Sequence, residues 1–198
     1  MTLDPPVTYH KNPFGLDLVG VLKTYENLMK EVEWVKRTEA REECFQSNGG
    51  GHSYTYGGGI GARTYISVHM TQTVLDIMDI LNDEYGGAVR SNVREWPPVD
   101  LCFLNRYHTE KNQLGWHADD SPEVDQDAPI HVVSFGAVRE LWVRPRGHKG
   151  GATHKFKLAS GSLLVMKPGM QATWDHRIPK HDRPCGERIS LTYRRMKV

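Results

Sequence analysis

Cysteine is scarce in this sequence, and its spacing argues against a fold stabilised by disulfide bonds or by a structural zinc ion. The three cysteines among 198 residues, Cys44, Cys102 and Cys185, lie far apart, and none belongs to a C-x-x-C pair. Widely spaced cysteines in an odd number argue against a disulfide framework and against a structural zinc site. They indicate a reducing compartment, so we expect a cytoplasmic protein, or a nuclear one if the source is eukaryotic.

Long apolar runs are also missing. No stretch approaches the roughly 20 apolar residues of a membrane-spanning helix, and the first residues have neither the basic nor the apolar region of a secretion signal. Hydrophobic residues nevertheless make up 38% of the chain, which is sufficient for a hydrophobic core. We therefore expect a single domain over residues 1–198, monomeric and without a membrane partner.

Positive and negative charges nearly cancel over the whole chain, but they are distributed unevenly between its N-terminal and C-terminal parts. Residues 144–198 carry 13 Lys and Arg against three Asp and Glu, whereas residues 1–143 carry 12 against 21. The basic part is either a solvated face or a surface that attracts phosphate groups. If it binds phosphates, the contacts are expected from a loop and the strand after it, with Arg144, Arg146, Lys149, Lys155 and Lys157.

The pattern of apolar residues changes near residue 99. Before it, apolar positions at helical spacing predict a helix over 18–32, and Thr71 is placed to cap a second helix that Gly86 and Gly87 would end. The first ~15 residues are predicted to form an extended arm. The glycine-rich residues 47–62 are predicted to form a loop.

After residue 99, short stretches of strand-forming residues alternate with Gly, Pro and Asp. Strands are predicted over 101–107, 131–135, 140–144, 155–158, 162–166, 173–178 and 188–195. Two helices followed by many short strands predict an α+β fold, with a jelly-roll double sheet buttressed by N-terminal helices.

A His and a carboxylate stand two residues apart in the segment Gly-Trp-His-Ala-Asp-Asp at 115–120. In an extended chain, His117 and Asp119 point the same way and can bind one ion. One further His would complete the 2-His-1-carboxylate triad of Fe(II) oxygenases, which leaves a face open for a cosubstrate and O2. His176, on a short predicted strand, is the best candidate. His131 is the alternative, and His148, His154 and His181 are interpreted as surface residues.

The last predicted strand has one apolar and one polar face. Arg188, Ser190, Thr192 and Arg194 alternate with apolar residues, so this face lies either in solvent or inside a barrel that holds an anion. Two arginines on one side could grip both ends of a dicarboxylate. Asn105 and Tyr107 share a face of an earlier strand, which is either an ordinary half-buried strand or a neutral hydrogen-bonding surface for the same ligand.

Six sequence blocks, in this order and spacing, resemble the AlkB family of Fe(II)/2-oxoglutarate dioxygenases. They are N-R-Y at 105–107, W-H-A-D-D at 116–120, V-S-F-G at 133–136, G-S-L-L at 161–164, H-R-I-P at 176–179 and R-I-S-L-T-Y-R at 188–194. The N-terminal half is similar more loosely, through R-E-E-C-F at 41–45 and Y-T-Y-G-G-G at 54–59.

The resemblance implies a double-stranded β-helix core over 99–198, with N-terminal helices and a nucleotide-recognition lid over 1–98. It implies Fe(II) bound by His117, Asp119 and His176. It implies 2-oxoglutarate held by four residues, Asn105, Tyr107, Arg188 and Arg194. Asp120 would face the damaged base. Of the aromatic residues that could stack on that base, Trp116 and Tyr56 are the best placed.

The implied reaction is oxidative demethylation of bases such as N1-methyladenine and N3-methylcytosine in nucleic acid. It consumes O2 and 2-oxoglutarate and releases succinate, CO2 and formaldehyde. A methyl group on the pairing edge spoils pairing, and the target base must leave the stack, so single-stranded or locally unpaired substrates are favoured.

Two alternatives remain open on the sequence. A 2-oxoglutarate-dependent hydroxylase of a protein or small molecule would need every metal and cosubstrate residue named above. A noncatalytic jelly-roll binding module would have no reason to direct two arginines into the cavity of a metal triad.

Overall fold

The computed structural model describes residues 4–56, 62–85, 96–147 and 153–197, without the side chain of Tyr56. The elements in chain order are β1 (Val7–His10), α1 (Leu18–Glu31), β2 (Val35–Thr38), β3 (Arg41–Ser47), β4 (Ser53–Tyr56), β5 (Arg63–Ile66), β6 (Val68–His69), α2 (Gln72–Glu84), β7 (Leu101–Tyr107), β8 (Leu114–His117), β9 (Ile130–Gly136), β10 (Arg139–Pro145), β11 (His154–Leu158), β12 (Ser162–Met166), α3 (Met170–Thr173), β13 (Trp174–Ile178) and β14 (Arg188–Arg194).

The described strands form two larger sheets and a hairpin. The eight-stranded sheet has the order β1-β12-β9-β14-β7-β3-β2, with β6 paired to β3, and the four-stranded sheet has the order β11-β10-β13-β8. Strands β4 and β5 form a separate hairpin. The larger sheets are antiparallel except where β6 pairs with β3. This arrangement confirms the predicted α+β jelly-roll fold with helices against one sheet.

Two apolar layers fix the position of the large sheet. On one side, Leu28 of α1 and Leu81 of α2 pack with Leu191 of β14 in a common core. On the other side, Val132 of β9 packs with Val143 of β10, which joins the two sheets. The large sheet is therefore covered on both faces, so the polar face of β14 lies between the sheets and not in solvent.

Both predicted helices are present, with local differences at their ends. Asp17 precedes α1 and accepts a hydrogen bond from the Gly20 N–H at 2.8 Å, as expected of an N-cap carboxylate. Leu18 at the start of α1 is 75% exposed, so the buried face of this helix begins later than its spacing predicted. Thr71 makes no side-chain cap bond, and the first turn of α2 is instead bound by Glu31 of α1 through the Thr73 N–H at 3.0 Å. Gly86 and Gly87, the predicted end of α2, lie outside the described residues.

The N-terminal half contains strands that the sequence pattern did not reveal. The expected arm includes β1, which pairs with β12 at the sheet edge. The expected loop over 47–62 includes β4, and Tyr54 on this strand is 1% exposed. The reason is tertiary: β1 completes the hydrogen bonds of an edge strand, and Tyr54 fills an aromatic cluster with Phe45 and Phe103.

No helix in the described ranges has the length and apolar composition that crossing a membrane requires.

Candidate metal centre and cosubstrate cavity

The pairing of β8 with β13 brings two histidines together. His117 lies opposite His176 in the strand register, and their ring centroids are 4.2 Å apart. Asp119 follows β8 by two residues, with Oδ1 3.6 Å from His117 Nε2 and Oδ2 4.0 Å from His176 Nε2. One donor atom from each residue lies within 4.8 Å of the others, so the three could hold a metal ion.

Neighbouring groups orient these donors. His117 Nδ1 lies 2.8 Å from the Gly115 carbonyl oxygen, which can only accept, so the proton belongs on Nδ1 and Nε2 keeps its lone pair. The backbone N–H of Asp119 donates to Gln171 Oε1 at 2.9 Å, and Gln126 Nε2 donates to the Asp119 carbonyl at 3.1 Å. The loop that carries the carboxylate is thus fixed on both sides of its Cα.

The electrostatics of the three residues favour their metal-binding forms. Burial lowers the pKa of His117, and burial together with His117 lowers the pKa of His176 to about 3, so both imidazoles are neutral. Burial alone would raise the pKa of Asp119, but Arg194 and the two histidines bring it below its ordinary value. Asp119 is therefore an ionised carboxylate, and its buried Oδ1 has no hydrogen-bond partner among the described residues.

This donor set fits Fe(II). Two neutral imidazoles and one carboxylate form the facial triad that non-haem iron oxygenases use. The buried Asp119 Oδ1 has no hydrogen-bond partner in the described residues and lies 3.6 Å from His117 Nε2, so it is the kind of polar atom that a bound cation would satisfy.

A cavity lies between the sheets in front of these donors. Its polar lining includes Asn105, Tyr107, Ser190, Thr192 and Arg194 of the large sheet. Its apolar lining includes Leu114, Val132, Leu141, Met166 and Ile178. The structure therefore brings Asn105, Tyr107 and Arg194 to the same cavity as the three donors. Their role in holding 2-oxoglutarate stays a prediction.

Arg188 is completely buried and is not among the residues that line the cavity. Its guanidinium carbon lies 5.4 Å from the Tyr107 ring centroid, and its Nη2 donates to Ser134 Oγ at 3.0 Å and Ser190 Oγ at 3.1 Å. Its Nε and Nη1 have no hydrogen-bond partner among the described residues. Burial lowers the pKa of Arg188 to about 10, so this cation is strongly desolvated and uncompensated.

Arg194 is positioned differently from Arg188. Its Nη2 donates to Asp119 Oδ2 at 2.6 Å and its Nε donates to the same oxygen at 3.2 Å. Its Nη1 has no hydrogen-bond partner among the described residues. The sequence predicted that Arg194 would hold a ligand carboxylate, but in this structure most of its donors serve Asp119.

Arg41 is a cavity residue whose individual position the sequence pattern did not single out. It lines the cavity from β3, its Nε donates to Asn105 Oδ1, and its Nη2 lies 2.6 Å from Glu43 Oε1. The available signal was the two-residue spacing of Arg41 and Glu43, which puts two opposite charges on one face at the start of a strand whose later residues are uncharged. Gln171, which holds the Asp119 backbone, carried no signal because it comes from a short turn distant in sequence.

Two of the three predicted substrate residues, Asp120 and Trp116, are not among the described residues that line the cavity. Asp120 is exposed and pairs with Arg146 at 2.9 Å. Trp116 lies between Arg144 and Arg177, whose guanidinium carbons are 4.0 and 4.7 Å from its ring centroid. Tyr56 ends β4, and its side chain is outside the described part. Their contact with a damaged base stays a prediction.

The basic loop is only partly described. Arg146 lies 3.3 Å from Asp175 in addition to its pair with Asp120, so it is less available for phosphate than the sequence suggested. Lys149 lies outside the described residues, whereas Lys155 and Lys157 are exposed on β11.

Among the other histidines, only His131 was a candidate ligand. It is buried on β9, outside the cavity lining, and burial lowers its pKa to about 4. His154 packs edge-on against Trp174 at 5.8 Å, and His181 Nδ1 accepts from the Arg183 N–H at 3.2 Å. None of these three belongs to the group of potential metal ligands found in the described residues. His148 lies outside the described part.

Comparison with known proteins gives a consistent family assignment. The family model described as 2OG-Fe(II) oxygenase superfamily matches residues 20–194. Alpha-ketoglutarate-dependent dioxygenase alkB homolog 3 from Bos taurus is 29% identical over 197 residues, covering 92% of this chain and 64% of the relative. DNA oxidative demethylase ALKBH2 from Mus musculus is 30% identical over 187 residues, covering 88% of this chain and 74% of the relative.

The fold comparison agrees. The solved structure of OsALKBH1 superimposes with a TM-score of 0.64 at 18% identity, covering 98% of this chain and 99% of that one. At this identity the match supports the fold alone. The chain spans just under two thirds of the length of the bovine alkB homolog 3.

Proposed function

Because the chain belongs to the 2OG-Fe(II) oxygenase superfamily, we propose that it is an AlkB-like oxidative demethylase of N-alkylated bases in nucleic acid. The substrates would be bases such as N1-methyladenine and N3-methylcytosine. The products would be the repaired base, formaldehyde, succinate and CO2. We further propose that it acts as a monomer on single-stranded or locally unpaired nucleic acid.

One observation carries the catalytic part of the proposal. Two neutral imidazoles and one ionised carboxylate converge at the wall of a cavity that is also lined by two arginines and by neutral hydrogen-bonding groups. His117, Asp119 and His176 would hold Fe(II), and the bound metal with 2-oxoglutarate and O2 would supply the oxidising power. The apolar residues on the cavity wall would exclude bulk water from the reacting groups.

The cosubstrate would occupy the polar side of the cavity. Arg188 would attract one carboxylate from behind Tyr107, because two of its nitrogens have no partner in the described residues. Asn105 and Tyr107 would orient the ligand without adding charge. Arg41 would fix the Asn105 amide, since its Nε donates to Asn105 Oδ1 and leaves the amide nitrogen to face the ligand.

The nucleic-acid part of the proposal draws on the named relatives and on the hairpin at the cavity. A relative from mouse is called a DNA oxidative demethylase. Tyr54 of the β4–β5 hairpin lines the cavity, and the Ser121 hydroxyl next to the metal loop donates to the Thr55 carbonyl at 2.7 Å. The hairpin is thus attached to the loop of Asp119 and could cover a base that has left its stack.

The test is mass spectrometry of a single-stranded oligonucleotide that carries one N1-methyladenine, incubated with Fe(II), ascorbate and 2-oxoglutarate. We expect the wild type to remove the methyl group and His117→Ala to leave it. The matched control is His52→Ala, which removes an exposed histidine that belongs neither to the potential metal ligands nor to the cavity lining and should retain activity.

A second measurement separates the proposal from the hydroxylase alternative. Succinate formation without loss of the methyl group would assign the chemistry to another substrate, a protein or a small molecule. Absence of both products with iron shown to be bound would contradict the oxygenase proposal itself. Light scattering of the purified protein tests the proposed monomer, and a mass of two chains would refute it.

A further inference from the structure

The outward face of the four-stranded sheet carries aromatic and basic residues side by side. Trp142 of β10 pairs in register with Lys155 of β11 on one side and with Arg177 of β13 on the other. Trp116 of β8 continues the series, because its neighbour His117 pairs with His176 and points inward. A row of outward side chains therefore crosses all four strands.

The members of this row are stacked on one another. Lys155 Nζ lies 4.2 Å from the Trp142 ring centroid, and the Arg177 guanidinium carbon lies 4.3 Å from the same centroid. Arg177 also lies 4.7 Å from the Trp116 centroid, and Arg144 lies 4.0 Å from it. We call Lys155, Trp142, Arg177, Trp116 and Arg144 the cationic row.

The three cations of the row have no acidic partner within ion-pair distance in the described ranges. The nearby acids are engaged elsewhere: Glu140 accepts from Trp142 Nε1 at 2.8 Å, and Asp175 pairs with Arg146 at 3.3 Å. The Nε atoms of Arg144 and Arg177 are buried without a hydrogen-bond partner among the same residues. Like charges held close to one indole ring repel each other, so the row favours an anion that bridges them.

Stacking also prepares the arginines for a phosphate. A guanidinium that lies over an indole contacts the ring with its flat face. Its N–H groups point outward in the plane of the guanidinium, so they stay available as hydrogen-bond donors. The strands of Lys155 and Arg177 flank β10 and are roughly 10 Å apart at the usual strand spacing. Their charged groups lie closer together, at 4.2 and 4.3 Å from the Trp142 ring centroid. Because the row continues across β8 to Trp116, it can contact successive anionic groups along its length.

The row lies directly behind the metal donors. Trp116 and Arg177 are the chain neighbours of His117 and His176, and they point to the opposite face of the same strands. Arg146 and Asp120 connect the row to the loop of Asp119 at the ends of these strands. A chain bound along the row would thus run beside the rim of the cavity.

We propose that the cationic row binds the phosphate backbone of the nucleotides that flank the target base in a single-stranded nucleic acid. This inference rests on the proposed function, which makes nucleic acid the ligand. It adds a binding surface for that nucleic acid outside the cavity. The partner is identified by charge complementarity, since a phosphodiester backbone offers evenly repeated anions with sugar and base surface between them.

The experiment measures binding of an unmethylated, fluorescently labelled single-stranded oligonucleotide by anisotropy over a series of salt concentrations. Arg177→Gln with Lys155→Gln removes two cations of the row. We expect the slope of log affinity against log salt to fall by about 1.4, and the affinity at about 0.1 M salt to fall roughly 25-fold, because each single-strand phosphate contact contributes a slope of about 0.7.

The matched control removes equal charge elsewhere. Lys23 and Lys30 are exposed on α1, which packs on the far side of the large sheet from the cavity. Lys23→Gln with Lys30→Gln should leave the slope unchanged. Lys155→Gln alone changes only an exposed side chain, so it serves if the double variant does not fold, and its expected slope change is half as large.

The outcomes distinguish this surface from the proposed reaction. If the row variants lose the salt slope while no methyl group is ever removed, the surface stands and the proposed function fails. If the methyl group is removed at the wild-type rate and the slope of the row variants equals that of the control, the surface is wrong. It is also wrong if the row variants lose binding to anionic lipid vesicles or to an acidic peptide but not to the oligonucleotide.

Discussion

The two ends of strand β14 each bury an arginine, and the two differ in how their charge is balanced. Arg194 at one end donates two hydrogen bonds to Asp119 Oδ2. Arg188 at the other end donates to the hydroxyls of Ser134 and Ser190 and forms an ion pair with no carboxylate in the described ranges. One arginine therefore completes an ion pair within the protein, whereas the other is a buried cation without an anion in the described residues.

This difference separates the tasks that the sequence had assigned jointly to both residues. A buried charge without a partner costs free energy, so Arg188 marks the point where an external carboxylate gains most. A buried charge that already has an ionic partner within the protein mainly stabilises the charged form and the position of that partner. Arg194 therefore holds Asp119 ionised and oriented. We expect cosubstrate affinity to depend on Arg188 and the stability of the metal loop to depend on Arg194.

The largest effect is expected when a metal ligand is removed from the site beside Arg194. His176→Ala leaves only His117 and Asp119 as metal ligands. The transition state should lose several kcal/mol of stabilisation by the metal, which lowers succinate formation by about three orders of magnitude. Succinate is measured by NMR with 2-oxoglutarate and Fe(II), and retained iron is measured in parallel. His52→Ala is the control. Undiminished succinate formation by His176→Ala would remove this residue from the metal centre.

The next effect tests the internal ion pair. Arg194→Gln leaves the Asp119 carboxylate buried without its main partner and should cost about 3–5 kcal/mol of unfolding free energy in the metal-free protein. Denaturant unfolding at neutral pH measures it. Arg183→Gln, which changes an exposed arginine, is the control.

The same pair predicts a pH dependence. The pKa of Asp119 in the folded protein lies below its ordinary value of 3.8, so its stabilisation is present above that value and is lost as the pH falls further. The contribution of Asp119 to wild-type stability should therefore be constant near neutrality and be lost only in strong acid. In Arg194→Gln burial is no longer opposed by Arg194, so the loss of stability in acid should be smaller than in wild type. Denaturant unfolding over a series of pH values measures this, and an equal loss in both proteins would contradict the assignment.

A smaller effect is expected at the Arg188 end. Arg188→Met should weaken 2-oxoglutarate binding by about 10- to 150-fold, since it removes hydrogen bonds from a charged group that are worth about 1.5–3 kcal/mol. Titration calorimetry on the iron-loaded or metal-substituted protein measures the affinity. The ligand-free variant should be no less stable than wild type, because an apolar side chain replaces an uncompensated charge. Equal affinities for the variant and for Arg183→Met would refute the role of Arg188.

The smallest effect concerns the orientation of Arg188. Ser134→Ala removes one of its two hydroxyl acceptors and should weaken 2-oxoglutarate binding about fivefold, because the guanidinium is held less firmly but keeps its bond to Ser190. Ser53→Ala, at an exposed position of β4, is the control. If Ser134→Ala binds the cosubstrate as tightly as the control, the hydroxyl has no part in positioning the guanidinium.

Much of the catalytic half could be predicted because its signals are local. The strands predicted over 101–107 and 162–166 have the observed bounds of β7 and β12, since short apolar runs there follow directly after Asp100 and Gly161. The H-x-D pair needed only the extended conformation of β8 and the next residues to direct both side chains one way. The order of the sequence blocks then identified the family.

Other features could not be predicted because they depend on partners distant in sequence. Strand β1 has no strong pattern of its own, and it is a strand because β12 offers unpaired backbone groups. Arg41 is a cavity residue because β3 lies beside β7, which brings it to Asn105. The outward row of Trp142 and Arg177 required the register between β10 and β13.

The sequence by itself determined the fold class, the family and the residues from which a metal centre could be made, because periodicity and motif spacing are properties of neighbouring residues. It left the polar face of β14 either in solvent or inside a barrel. Only the tertiary structure decided this, since burial depends on the second sheet that covers the face. It also decided that Arg194 is neutralised by Asp119 and Arg188 is not, because the partner of a buried charge is set by packing and not by position in the chain.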